Sequence, residues 1–156
     1  MRLRNFLTEK INMSSIIIEG PRIIVEIDET KLGKRKYNKG HPVEGAWVIC
    51  GVERTKEKKY FAIQVENRDS ATIKDILSKY VSEGSIIFTD KWRAYKKPCE
   101  ELGFEHYTVN HSLHFKDPIT GVHTNTIEGY NNSLKSFIQP RNRTKKHIRG
   151  YLGFYI

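Results

Sequence analysis

Three acidic residues of this chain, Asp28, Asp90 and Glu128, have the side-chain type and the placement to hold divalent cations together. Asp28 follows the apolar run Ile23-Ile24-Val25 and Ile27, at the end of a predicted strand. Asp90 closes a second apolar run, Ser85-Ile86-Ile87-Phe88-Thr89, and Glu128 lies in HTNTIEGYNNSLKSF, which reads as a helix. Two strand-end aspartates and a helical glutamate can converge on a pair of divalent cations, an arrangement that performs phosphodiester chemistry. Mg²⁺ takes few carboxylates and keeps several waters, which suits so sparse a trio. Asp90 comes 62 residues after Asp28, and Glu128 another 38 residues on. The first interval has room for further strands and the second for a crossover. A lone Asp at a strand end is ordinarily a turn cap; the conjunction of all three is what singles them out.

The elements that must position these residues are legible from periodicity. Strands are predicted at 22–29, 45–53 and 59–66 as an antiparallel meander, with a turn-rich basic loop at 31–45 and a charged turn at 53–58. From Ser70 the spacing of Ile73, Ile76, Leu77 and Tyr80 is helical; Asp69 or Ser70 caps the start and Gly84 ends it. A fourth strand at 85–89 leads to a helix from Trp92 to Leu102, broken or kinked by Pro98 and closed by Gly103. A short strand at 105–110, a loop at 111–122, the Glu128 helix from Thr124 to Phe137 and, beyond Pro140, a helix from Thr144 complete the order. Three meandering strands followed by alternating helices and strands imply an α/β domain with a mixed five-stranded central sheet flanked by helices. This is the order of the ribonuclease H fold, in which the first and fourth strands are neighbours and Asp28 stands beside Asp90. Residues 1–21 are expected to be a short N-terminal arm and 22–156 a single domain.

On the Glu128 helix, Asn125, Glu128, Asn132 and Lys135 recur at intervals of 3, 4 and 3 residues and so share a face, while Ile127, Leu134 and Phe137 take the other side. The alternative is a solvated polar stripe. His106, His111, His114 and His123 cluster in sequence, but no cysteine accompanies them and their spacing is loose for a closed zinc site; one of them is left to contact phosphate or orient a water. Basic residues flank the acidic trio. Lys31, Lys34, Arg35, Lys36 and Lys39 follow Asp28, and Arg141, Arg143, Lys145, Lys146, His147 and Arg149 follow the Glu128 helix. These can neutralise phosphates along a DNA track without reading bases, the bland reading being solubilising charge. Trp92 and Tyr95 are either packing residues or a platform for an unpaired base.

Composition narrows the class. Lys and Arg outnumber Asp and Glu by 27 to 18, a net charge of +9, which favours a polyanionic partner such as nucleic acid. The apolar runs exclude a disordered chain. Cys50 and Cys99 are far apart in sequence and belong to no CxxC pair, so a reducing intracellular compartment is expected, the nucleus if the source is eukaryotic. No apolar stretch approaches the ~20 residues that span a bilayer, and no membrane partner is expected. No tyrosine or serine is placed with a base as an activated nucleophile, so a covalent protein–DNA intermediate is not expected.

The segments VEIDETKLGKRKYNKG, HPVEGAWVICGVER, IIFTDKWRAY and HYTVNHSLHFKDPITGVHTNTIEGYNNSLK, in this order, resemble the catalytic core of Merlin-type DDE transposases, eukaryotic relatives of a bacterial insertion-sequence transposase family. The resemblance runs from residue 22 to the end. It implies a ribonuclease H-like fold, catalytic and metal-binding roles for Asp28, Asp90 and Glu128, marked positions at Asn125 and Lys135, and two Mg²⁺ or Mn²⁺ ions. It also implies cut-and-paste DNA transposition, with transposon ends and target DNA as partners and a homodimer as the possible assembly. Two departures stand out. Family members carry an N-terminal DNA-binding region, often zinc-containing, where residues 1–21 stand here without a cysteine. Many relatives also have a tryptophan-containing stretch after the glutamate, where this chain has GYNNSLK. The expectation is therefore a fragment, a decayed copy or a domesticated core, with a non-catalytic DNA-binding remnant and a structure-selective nuclease on the same fold as alternatives.

Overall fold

A computed structural model describes residues 22–33, 45–110, 116, 118, 121 and 123–155. Strands β1 (Ile24–Leu32), β2 (Ala46–Glu53) and β3 (Tyr60–Val65) precede helix α1 (Ser70–Tyr80). Strand β4 (Ile86–Asp90), a 3₁₀ turn (Arg93–Tyr95), helix α2 (Lys96–Glu101) and strand β5 (Glu105–Val109) follow. Helix α3 (Asn125–Phe137), a second 3₁₀ turn (Pro140–Asn142) and helix α4 (Lys145–Tyr155) end the order. The five strands form one mixed sheet in the order β3-β2-β1-β4-β5. β1 is antiparallel to β2 and parallel to β4, and β4 is parallel to β5. The expected α/β architecture, with a mixed five-stranded sheet and helices on both faces, is the one observed, and its strand order is that of a ribonuclease H-like domain.

Alternation along β1 decides what each face carries. Val25 and Ile27 point to one face, where they pack with Ile73, Ile76 and Leu77 of α1 and with Tyr95 and Cys99. Leu32, on the opposite face, joins Val48, Cys50 and Val52 of β2 against Ile127 and Leu134 of α3 and Ile148 and Leu152 of α4. Strand β2 is buried on both faces and is accordingly apolar at nearly every position. Glu26 and Asp28 lie on the α3 face of β1, and that face is where the chemistry must be sought.

Three local differences have plain causes. β1 continues to Leu32, into what the sequence reads as loop, because its pairing with β2 runs unbroken from Val25–Glu53 to Leu32–Ala46. The helix expected from Trp92 to Leu102 is divided, but the division falls between Tyr95 and Lys96, ahead of Pro98. Helix α2 is preceded by a 3₁₀ turn, and Pro98 is its third residue, where a missing N–H costs no intrahelical bond. Helix α1 ends at Tyr80, capped by Val81, before Gly84 is reached; Gly84 instead takes a left-handed turn conformation (φ 82°) leading into β4. At the start of α1, Asp69 is the cap, its side chain accepting from the Thr72 N–H at 2.8 Å. Among the described residues no helix is long and apolar enough to cross a membrane.

Candidate metal and catalytic site

The β1–β4 ladder sets the site's geometry. Ile24 pairs with Ile86 and Glu26 with Phe88, a constant offset of 62 residues. Asp28 and Asp90 have the same offset and stand just beyond the last bridged pair, where β4 stops and β1 runs on. Asp90 helps to stop it: its Oδ1 accepts the Trp92 N–H at 3.0 Å, turning the chain away from the sheet. The two aspartates thus meet at the carboxyl end of a parallel pair, the usual place for a ligand crevice in sheets of this kind.

One carboxylate oxygen from each of Asp28, Glu29 and Asp90 lies within 4.8 Å of the others. Burial pushes the Asp28 carboxyl up to about 7; the neighbouring charges of Glu29 and Asp90 add to this, and Glu128 adds least, while the Glu29 backbone N–H works the other way. Glu29 is also raised, first by burial and then by Asp90, although its bond from the Tyr95 hydroxyl (2.5 Å) and the Arg68 guanidinium at 3.8 Å oppose the shift. A cleft of about 220 Å³ opens beside these groups, lined by Asp28, Glu29, Thr30, Glu128, Asn131, Asn132 and Lys135. The donor set is oxygen-only, which fits a hard cation such as Mg²⁺ or Mn²⁺. The nearby Cys50 thiol is fully buried and raised to about 12, so it stays protonated and is no thiolate ligand.

Each sequence-predicted residue can now be located. Asp28 and Asp90 are brought together, and Glu128 lines the same cleft without joining the tight carboxylate group. Lys135 and Asn132 line it as well. Asn125 is not among the lining residues; its Oδ1 is buried with no hydrogen-bond partner among the described residues. The helix face turned to the cleft is Glu128, Asn131, Asn132 and Lys135, at steps of three, one and three, so Asn131 replaces Asn125 in the stripe. Asn131 is 4% exposed, and its Nδ2 donates to Asp28 Oδ2 at 3.2 Å. The i+3 spacing from Glu128 was the available signal for it. Glu29 carried a contrary signal, since alternation sends it to the opposite face of β1 from Asp28, yet one carboxylate oxygen of each lies within 4.8 Å of the other.

The basic residues separate into distinct settings. Lys34, Arg35, Lys36 and Lys39, with His111 and His114, lie outside the described residues. Lys31 is in β1, its Nζ 5.4 Å from the Trp47 ring centre. Arg141, Lys145 and Lys146 are exposed, Lys145 pairing with Glu66 at 3.6 Å. Arg143 is engaged internally: its guanidinium donates to the carbonyls of Lys135 and Ile138, capping the end of α3. Of the histidines described, His106 meets the Thr89 hydroxyl at 2.7 Å and His123 meets Arg54 at 3.0 Å. No histidine joins a metal-binding group among the described residues. Tyr95 is fully buried, as a packing residue would be, and Trp92 packs edge-on against it.

Residues 18–154 match the ISXO2-like transposase domain. This chain belongs to that family. An uncharacterized transposase-like protein of Haemophilus influenzae is similar to it, 33% identical over 95 residues, which cover 60% of this chain and 75% of that protein. An ISXO2-like domain spanning nearly all of the chain agrees with the insertion-sequence side of the resemblance read from the sequence.

Proposed function

We propose that residues 22–156 are the catalytic core of a DDE-type transposase that cuts DNA at transposon ends and joins them to a target. Asp28, Asp90 and Glu128 would hold Mg²⁺ or Mn²⁺, with Glu29 as an additional carboxylate. The Merlin-type branch read from the sequence is part of this proposal. The observation that carries it is the meeting of Asp28 and Asp90 at the open end of the β1–β4 ladder, beside a cleft that Glu128 also lines. When bound, the cations would activate water or a DNA 3′-hydroxyl and stabilise the departing oxygen.

The chain's own residues prepare for that charge. Crowding three carboxylates within 4.8 Å makes their joint ionisation unfavourable, and a divalent cation removes the cost. Asn131 orients Asp28 through Oδ2, while Tyr95 and Arg68 fix Glu29 from the opposite side of the sheet. Lys135, at the far end of the helix stripe, offers a cation to a phosphate entering the cleft. Lys31, Arg141, Lys145 and Lys146 are the described residues proposed for the DNA track, together with Lys34, Arg35, Lys36 and Lys39; Arg143 serves the fold first. A second copy of the chain would hold the other transposon end.

Incubating the protein with a terminal-repeat duplex, a target plasmid and Mg²⁺ or Mn²⁺ tests this reading. Ends joined covalently to the target support it. Cleavage with no joining would mark a nuclease, and DNA binding with no cleavage a non-catalytic remnant.

A further inference from the structure

Glu26 is a fully buried acidic residue that does not line the cleft. Its two oxygens are both committed. Oε1 accepts the backbone N–H groups of Thr126 (3.0 Å) and Ile127 (3.3 Å), the first turn of α3, and Oε2 accepts Arg54 Nε at 2.8 Å. Arg54 Nη2 in turn donates to the His123 carbonyl at 2.7 Å and lies 3.0 Å from His123 Nδ1. The guanidinium rests 4.7 Å from the Phe88 ring centre, and the Arg54 backbone N–H bonds to the Ile24 carbonyl at 2.9 Å. Thr124, the residue in the cap position of α3, makes no side-chain cap bond. A carboxylate borrowed from β1 therefore satisfies two of the orphan donors of that helix, while the Asn125 N–H donates to His123 Nδ1.

We propose that Glu26 is a positioning residue for the metal site, resting on the reading above, and that Arg54 locks it in place. Glu26 is two residues before Asp28 on the same face of β1, and Glu128 directly follows the Ile127 N–H that Glu26 holds. One side chain thereby ties the strand bearing Asp28 to the helix turn bearing Glu128. With both oxygens engaged, Glu26 is no metal ligand; what it sets is the separation between residues that are. An ordinary helix cap would stabilise α3 and leave cation affinity untouched, so the two roles differ in a measurable quantity.

The test is Mn²⁺ binding to the full chain, followed by electron paramagnetic resonance of the free ion, alongside amide hydrogen exchange in α3. Glu26→Gln keeps the shape but turns an amide donor toward either Arg54 or the α3 N–H groups, all of them donors, and Glu26→Asp keeps the charge but shortens the reach by one methylene. Both should weaken Mn²⁺ binding by roughly 10- to 100-fold, as losing an orienting partner does at metal sites, and speed exchange at Thr126 and Ile127. Folded variants that bind Mn²⁺ with wild-type affinity would overturn the proposal, leaving Glu26 an ordinary cap. If neither variant folds, Arg54→Lys, which keeps a cation without the planar fork, decides it: weakened binding supports the proposal and wild-type affinity overturns it. A wild-type chain that takes up no Mn²⁺ overturns the metal reading and this proposal with it, and that outcome is seen before any substitution is made.

Discussion

With divalent cations chelated, the protein should lose stability as pH rises from 4 to 8, and Asp28→Asn should remove much of that loss. Asp28 has an ordinary carboxyl value of 3.8 and is pushed up to about 7 in the folded chain. A folded-state value above the unfolded one means that the native protein binds the proton more tightly. The stabilising contribution is then fully present below about 3.8, and it is lost as pH rises through about 7. A shift of about three units corresponds to a ceiling of roughly 4 kcal/mol, and partial solvent access at the cleft lowers what is realised. Glu29 is raised as well and acts with the same sign. An amide at position 28 carries no charge and can still accept from Asn131 Nδ2.

Urea denaturation of wild type and Asp28→Asn in excess chelator, at intervals between pH 4 and 8, measures the effect. The difference between the two proteins is the informative quantity, because titrating groups that do not interact with Asp28 cancel in it. It should be near zero at pH 4 and grow to about 2–4 kcal/mol in favour of Asp28→Asn at pH 8. In a chain of this size that is a melting-temperature gap of roughly 4–16 °C. Mg²⁺ or Mn²⁺ added at pH 8 should stabilise wild type by about 2.7 kcal/mol at one hundred times its dissociation constant, and Asp28→Asn much less. A variant less stable than wild type by the same amount at every pH would refute the reasoning, since Asp28 would then be acting through packing and hydrogen bonding alone.

The basic residues of the last segment should divide by role. Lys146→Ala and Arg141→Ala, both exposed, should weaken all DNA sequences about equally and flatten the salt slope of binding by roughly 0.9 for each phosphate no longer neutralised. Arg143→Ala should instead cost about 1–3 kcal/mol in denaturation, through the α3 carbonyls it caps. Two glycine substitutions should have opposite signs in the same assay. Gly129→Ala sits in α3 with open space around the added methyl and should stabilise by about 0.5–1 kcal/mol. Gly33→Ala should destabilise by more than about 1 kcal/mol, because position 33 has φ 88° and the methyl would run into the Arg143 carbonyl.

The sheet was legible in the sequence because β1, β2 and β4 announce themselves through apolar alternation or unbroken apolar runs. The strand order then placed Asp28 beside Asp90. The tight third carboxylate was not legible. Period-two alternation assigns Glu29 to the far face, yet just beyond the Glu26–Phe88 pair one of its oxygens lies within 4.8 Å of Asp28 and Asp90. Helical spacing gave Glu128, Asn132 and Lys135 a common face but put Asn125 with them, whereas it is Asn131 that lines the cleft. Which asparagine does so depends on how α3 rolls against the sheet, a tertiary property governed by Ile127 and Leu134. Glu26 and Arg54 were hidden for a different reason: a cap that acts from a residue so distant in sequence leaves no local signature. Arg143 looked like its basic neighbours, and nothing in composition separates a guanidinium facing a helix end from one facing DNA.

Metal-dependent nicking of supercoiled plasmid DNA tests the central claim most directly. The wild-type chain should convert supercoiled to open-circular DNA in Mg²⁺ or Mn²⁺ and should be inactive in chelator. Asp28→Asn and Asp90→Asn, checked for folding and for retained DNA binding, should each abolish the conversion. Nicking that persists in both variants, or that proceeds without a divalent cation, would contradict the assignment of these carboxylates to phosphodiester chemistry.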